Sequence, residues 1–205
     1  MEFLVFLFSC FFSLVFLVRW CATLQAAWPA ERHRLPKLVL SALPPVALVI
    51  FLYVLRLLAS FDVVESFYYI AFYVLLDYAW MYAGMFLLSW CFDLSWRDDA
   101  LYMNNKAALY EVTGGFLALA LIYAGANTGD GPGWWCVLFA GGLGLAAMLL
   151  LGVVFNACTG VFERVTVDRN AGSGLRFGLY LLGTGIVLAM ASGGDWTSFE
   201  ATVVE

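Results

Sequence analysis

The sequence predicts an all-α protein, a polytopic membrane helix bundle with six transmembrane helices. Of its 205 residues, 64% are hydrophobic and only 12% are charged, about half of the ~25% charge of a soluble domain. The hydrophobic residues fall into six long, continuous runs without the period-two alternation of a membrane β-barrel. Each run approaches or exceeds the about 20 residues that a helix needs to cross a bilayer.

Connectors rich in Pro, Gly, Asp and Asn separate the six predicted spans, and such residues interrupt helices. The spans cover residues 3–19, 38–60, 67–91, 105–126, 134–158 and 171–194. Glu2 replaces the basic start of a signal peptide, and no small-residue cleavage site follows Arg19, so the first span is expected to be a retained anchor. Within the second span, Pro44 and Pro45 are expected to bend the helix and free backbone carbonyls for its neighbours.

The basic residues are confined to alternate connectors. Eight of the ten Lys and Arg lie in connectors 19–37, 92–106 and 159–170, whereas connectors 61–66 and 127–133 have acidic residues and no basic ones. Basic connectors are retained on the cytoplasmic side of a membrane. We therefore expect a multi-pass membrane protein with the basic connectors in the cytoplasm and both termini outside.

The same charges and motifs exclude several classes of function. With ten basic and fifteen acidic residues, the chain lacks the basic surface that nucleic-acid binding requires. It contains no HExxH, no GxSxG and no phosphate-binding loop. The single histidine, His33, has no nearby partners for a metal. We expect neither an enzyme nor a cofactor or metal site.

A repeat of about 65 residues relates the last two pairs of spans. Asn105 opens the fourth span and Asn170 opens the sixth, and Gly114 and Gly178 follow at nearly the same spacing. Each asparagine is suited to cap the first turn of its helix. Because both copies cross the membrane in the same sense, they are expected to be parallel repeats.

This repeat divides the chain into four parts. We expect an N-terminal transmembrane hairpin, two repeat hairpins and a short outward tail. Their bounds are 1–60, 67–126, 134–194 and 195–205.

With these motifs the chain resembles the family called domain of unknown function 350, whose bacterial members are multi-pass inner-membrane proteins. The resemblance covers residues 67–194 and rests on an Asn, a pair of small residues and a Gly in each copy: Asn105, Ala107, Ala108 and Gly114, then Asn170, Gly172, Ser173 and Gly178. It implies two tandem hairpins, a location in the bacterial inner (plasma) membrane and no assigned reaction. Residues 1–60 lie outside this core, and Glu111 and Arg176 are not part of the family pattern.

Four ionisable residues lie inside predicted spans: Arg56, Asp77, Glu111 and Arg176. An unpaired charge near the bilayer centre costs about 2.5–3.5 kcal/mol or more, so such residues are paired, neutralised or in contact with water. Glu111 and Arg176 occupy equivalent repeat positions, each roughly 8–9 Å into its helix. They are therefore candidates for an ion pair, either structural or part of a proton or ion relay.

Asp77 lies roughly 15 Å from the start of its helix, which predicts a position near the membrane midplane. Helical spacing places Tyr73, Trp80, Met81 and Gly84 on its face. Two interpretations remain open. Asp77 is either protonated or bonded to a tyrosine and holds helices together, or it belongs to a binding or proton-handling site that Arg56 approaches.

The expected function follows from these features. The first hypothesis is a non-enzymatic integral membrane subunit, surrounded by the lipid bilayer, that forms a homo-oligomer or anchors other membrane protein subunits in an envelope assembly. The alternative is a small channel or transporter with an intramembrane charged path. Near the inner leaflet, Arg32, Arg34 and Lys37 are candidates for contact with anionic lipids.

Overall fold

The computed structural model describes residues 2–27, 34–131 and 133–195, without the side chain of Asp62. These residues form eight α-helices and one π-helical segment: α1 (Glu2–Ala26), α2 (Arg34–Leu57), α3 (Phe61–Glu65), α4 (Phe67–Phe92), the π-helical segment Trp96–Tyr102, α5 (Lys106–Ala126), α6 (Trp134–Thr159), α7 (Val161–Thr166) and α8 (Ala171–Ser192). Six of the described helices, α1, α2, α4, α5, α6 and α8, are long and apolar enough to span a membrane. The predicted all-α bundle with six spans is confirmed.

The bounds of the last four spans are predicted to within two residues, whereas the first two differ more. Helix α1 continues to Ala26, seven residues past the predicted end, since no Pro or Gly follows Arg19 before Pro29. Helix α2 ends at Leu57 rather than at residue 60. There the chain turns, and Ala59 forms an isolated bridge with Gly129. Arg56 therefore lies in the last turn of α2, not deep within a span.

The connectors define two ends of the bundle. The "acidic end" comprises residues 58–66, 127–133 and 193–195 with the start of α1; the "basic end" comprises residues 93–105 and 160–170 with the start of α2. Helices α5 and α8 both begin at the basic end, while α4 and α6 begin at the acidic end. The two names describe the charges of the connectors and not the two sides of a membrane.

The connectors that precede α5 and α8 share local backbone features. Asn105 accepts hydrogen bonds from the N–H groups of Ala107 and Ala108, and Asn170 accepts one from the N–H of Ser173. Both asparagines are N-caps, as predicted. The residue before each cap has a positive φ, 51° at Asn104 and 53° at Arg169.

Helix α5 lies at the centre of the bundle and packs along α8 through glycine. The backbone of Gly114 meets that of Gly178, and Gly174 meets Ala107. A Cβ at any of these three glycines would overlap backbone atoms of the partner helix. Small residues permit this close approach of two membrane helices. The two repeat-motif glycines thus contact each other.

The proline pair in α2 is bound to both neighbouring helices. Since Pro44 has no N–H, the carbonyl of Leu40 loses its usual helical donor. The indole Nε1 of Trp20 in α1 donates to this carbonyl at 3.0 Å. Tyr78 in α4 donates through its hydroxyl to the carbonyl of Pro44, also at 3.0 Å. Side chains of α1 and α4 thus bond backbone carbonyls around the proline pair; a bend at these prolines stays a prediction.

Candidate functional site

Asp77 is fully buried in the bundle, with 0% of its surface exposed. Neither carboxylate oxygen has a hydrogen-bond partner among the described residues, and the indole Nε1 of Trp80 nearby has none either. The groups in electrostatic contact with Asp77 include the hydroxyls of Tyr78 and Tyr123. No described salt bridge involves Asp77. The carboxyl is therefore buried without a compensating charge, which is costly in a membrane.

Contacts with α5 show the level of Asp77 in the bundle. Tyr123, in the last turn of α5, donates its hydroxyl to the carbonyl of Tyr73 at 3.2 Å. The rings of Tyr123 and Trp80 lie 5.9 Å apart. Asp77 lies between Tyr73 and Trp80 on α4 and so is level with the end of α5. Its position near the membrane midplane stays a prediction.

A cavity of about 340 Å³ lies at the acidic end. Its walls come from the start of α1, from α3 with the residues before it, from α4, from the end of α5 with the connector that follows, and from the start of α6. Tyr73 lines it, and Asp77 is one helical turn deeper on the same face. The carboxyl is thus one turn below the cavity.

A second cavity, of about 490 Å³, lies at the basic end between α1, α4 and the π-helical segment. Tyr82, Met85 and Phe86 of α4 line it. Between Tyr73, which lines the first cavity, and Tyr82, which lines the second, α4 has a closed segment in which Leu76, Asp77, Tyr78 and Met81 are buried. Asp77 thus lies along α4 between the two cavities.

Glu111 is the second buried carboxyl without a partner. It is 1% exposed, and neither of its oxygens has a hydrogen-bond partner among the described residues. The charged group that interacts with it electrostatically is another acid, Asp99 of the π-helical segment. Glu111 lies near the basic end, about five residues or ~8 Å into α5.

The ion pair expected between Glu111 and Arg176 is not present among the described residues. Helix α8 turns Gly174 and Gly178 toward α5, and Arg176 lies on the opposite, exposed face. Arg56 is exposed as well, so it does not pair with Asp77. Equal depth in two helices was therefore an insufficient criterion, because it ignored which face each residue occupies.

The three residues predicted to contact anionic lipid are only partly described. Arg32 lies outside the described residues, as does His33. Arg34 is exposed at the start of α2. Lys37 donates through Nζ to the carbonyl of Ala27 at the end of α1, an interaction that stabilises a helix C-terminus. Lipid contact stays a prediction for this group.

Sequence reasoning anticipated a cavity beside the aromatic face of Asp77 but missed its other walls, the cavity at the basic end and the role of Tyr123. The sequence did contain a signal for the cavity at the acidic end. Aromatic residues with polar groups are concentrated at the start of two membrane helices: Tyr68, Tyr69, Tyr73 and Trp134. Whether they line a cavity depends on how α4 and α6 are arranged around α5. The described residues include no group of three or more His, Cys, Asp or Glu that could hold a metal ion.

The bundle and its apolar helices define a multi-pass membrane protein. The model of the Domain of Unknown Function (DUF350) family matches residues 61–192, more than half of the chain, and the chain belongs to this family. No curated protein and no solved structure matches it. The match includes Asp77 and Glu111 and leaves out α1 and α2, although Tyr78 of α4 donates a hydrogen bond to Pro44 of α2.

Proposed function

We propose that this protein is a small membrane transporter for protons or cations, with Asp77 as the ion-accepting group. The observation that carries the proposal is the position of a buried, unpartnered carboxyl between two cavities at opposite ends of the bundle. This is the alternative raised by the sequence, and the geometry favours it over a purely structural role.

The physical argument rests on the charge of Asp77. An ionised carboxylate without a partner is strongly unfavourable in a low-dielectric interior, so it binds a proton or a cation. A carboxyl that binds a proton or a cation one turn below a cavity can exchange that ion with the solution in the cavity. A carboxyl that served only to join helices would be expected to hydrogen-bond to its neighbours.

The closed segment around Met81 favours a transporter over an open pore. An ion on Asp77 reaches the other end only if α4 moves relative to its neighbours. The proline pair Pro44 and Pro45 lies beside this segment, since Tyr78 donates to the carbonyl of Pro44. We propose that movement at this proline pair exposes Asp77 alternately to the two cavities, with Glu111 as the next carboxyl toward the basic end.

Asp77→Asn is expected to abolish ion flux by removing the titratable oxygen while preserving the shape of the side chain. The purified full chain would be reconstituted into vesicles containing a pH-sensitive dye, with a K⁺ gradient and valinomycin to set the potential. We expect wild-type proton flux to fall at least tenfold in the variant.

Glu65→Gln is the matched control for this experiment. Glu65 is an exposed acid at the same end of the bundle, and its substitution should leave flux unchanged. Equal flux from Asp77→Asn and wild type, or no proton or cation flux from wild type at all, would refute the transport proposal.

We further propose a bacterial inner-membrane location, with the acidic end outside, the basic connectors in the cytoplasm, and hairpins 67–126 and 134–194 as parallel repeats. The positive-inside distribution supports this orientation, and the matching caps and positive φ values before α5 and α8 support the repeat.

Cysteine labelling in cells should reveal this orientation. In a cysteine-free background, Asp130→Cys is expected to react with a membrane-impermeant maleimide in intact cells, since residue 130 belongs to the acidic end. Asp168→Cys, exposed at the basic end, should react only after permeabilisation. The reverse labelling pattern would contradict the proposed orientation.

The first hypothesis, a non-enzymatic subunit that oligomerises or anchors partners, stays a prediction. One observation favours it: α8 presents Arg176 and the open Gly183 on its exposed face, where another helix would fit. The mass of the purified particle in nanodiscs would decide between a single chain and an assembly.

A further inference from the structure

Five aromatic residues contribute to the wall of the cavity at the acidic end. Four of its aromatic residues follow one another on α4, and one begins α6: Tyr68, Tyr69, Phe72, Tyr73 and Trp134. The rings of Tyr68 and Tyr69 lie 5.6 Å apart edge to face, as do those of Phe72 and Tyr73 at 5.2 Å. Such walls present the negative faces of their π systems to a bound molecule.

The charge of the cavity has one sign. Glu2 lines it, and no Lys or Arg does. Glu2 is close enough to interact electrostatically with Tyr73, the residue one turn above Asp77. Asp130 and Asp195 lie close by at this end, since the N–H of Asp130 donates to the carboxylate of Asp195 at 3.0 Å. The local field therefore attracts cations and repels anions.

The size of the cavity favours a cation with apolar groups over a bare inorganic cation. Its volume is about 340 Å³, roughly twice that of a ~150 Å³ cavity that holds benzene. A bare inorganic cation is held by several oxygen ligands at short distance, and the described residues show no cluster of three or more potential metal ligands. A larger cation with apolar groups uses aromatic faces instead.

We propose that the acidic-end cavity binds a small organic cation, an alkylammonium group, with its apolar groups against the tyrosines and its charge directed toward Glu2 and Asp77. This inference rests on the proposed function and names the class of its substrate. A cation at this site would give the fully buried Asp77 carboxyl, one turn below Tyr73, the partner that it lacks among the described residues.

The test compares a quaternary ammonium ion with an uncharged molecule of the same shape. Choline and 3,3-dimethylbutan-1-ol differ in one atom, nitrogen against carbon, and in charge. Binding of each to the purified full chain in detergent would be measured by calorimetry. Choline is expected to bind at least tenfold more tightly. Equal affinities, or no measurable binding of choline, would overturn the inference.

Variants of one wall residue locate the bound cation. Tyr69→Leu removes an aromatic face from the cavity and should weaken choline binding at least fivefold, whereas Tyr69→Phe keeps the face and should bind like wild type. The control is Tyr53→Leu, on the exposed surface of α2 and away from the cavity. If Tyr69→Leu and Tyr53→Leu bind choline equally well, the cation does not occupy this cavity.

Failure of the inference differs from failure of the proposed function. Proton flux that depends on Asp77, without choline binding, would overturn the organic cation and leave the transporter in place. Choline binding that depends on Tyr69, without any flux from wild type, would overturn transport and support the cavity as a binding site.

Discussion

Gly178→Ala is expected to prevent stable packing of α8 against α5. A Cβ at position 178 would overlap the carbonyl oxygen of Tyr110, a backbone atom that cannot rotate away. The two helices would have to separate along a contact that includes Gly114 and Gly174. Overpacking of this kind costs about 3 kcal/mol, which should lower the melting temperature in detergent by about 10 °C.

The same helix offers a matched control. Gly183 also lies in α8, but a Cβ there would meet no other atom within 4 Å. Gly183→Ala should therefore be neutral or slightly stabilising, because alanine favours a helix over glycine by about 1 kcal/mol. Similar melting temperatures for Gly178→Ala and Gly183→Ala would contradict the close contact of α5 and α8.

Asp77→Leu is expected to make the protein more stable while removing its function. Burial of a carboxyl without hydrogen bonds costs about 1–3 kcal/mol, and leucine, although larger than aspartate, removes this penalty. The melting temperature in detergent should rise above that of the wild type. A gain in stability with a loss of flux is typical of a residue retained for function.

Tyr78→Phe, a substitution next to Asp77, is expected to lower the melting temperature. The hydroxyl of Tyr78 has a partner, the carbonyl of Pro44, so its removal should cost about 1 kcal/mol. If Asp77→Leu instead lowers the melting temperature as Tyr78→Phe does, Asp77 holds helices together, and the structural interpretation would replace the functional one.

Local sequence patterns were sufficient for the helices and their caps. The bounds of α4, α5, α6 and α8 follow from where long apolar runs stop at Asn, Asp or Gly. The capping role of Asn105 needs only its own side chain and the next three residues. These features are set by neighbours in the chain, so they can be predicted from sequence alone.

The arrangement of the candidate site needed the tertiary structure. Burial of Asp77 was anticipated from its position in a span, but its level in the bundle depends on the offset between α4 and α5. The orientation of Arg176 depends on which face of α8 the glycines occupy. The cavities arise where three or more helices meet. None of these relations is encoded within one helix.

The most direct test of the account joins chemical modification of Asp77 to transport. Hydrophobic carbodiimides react with protonated carboxyls in apolar surroundings. We expect peptide mass spectrometry to locate an adduct on Asp77 and proton flux to decline in proportion to its occupancy. The adduct should be missing from Asp77→Asn. Flux that persists at full modification of Asp77 would contradict its role as the ion-accepting group.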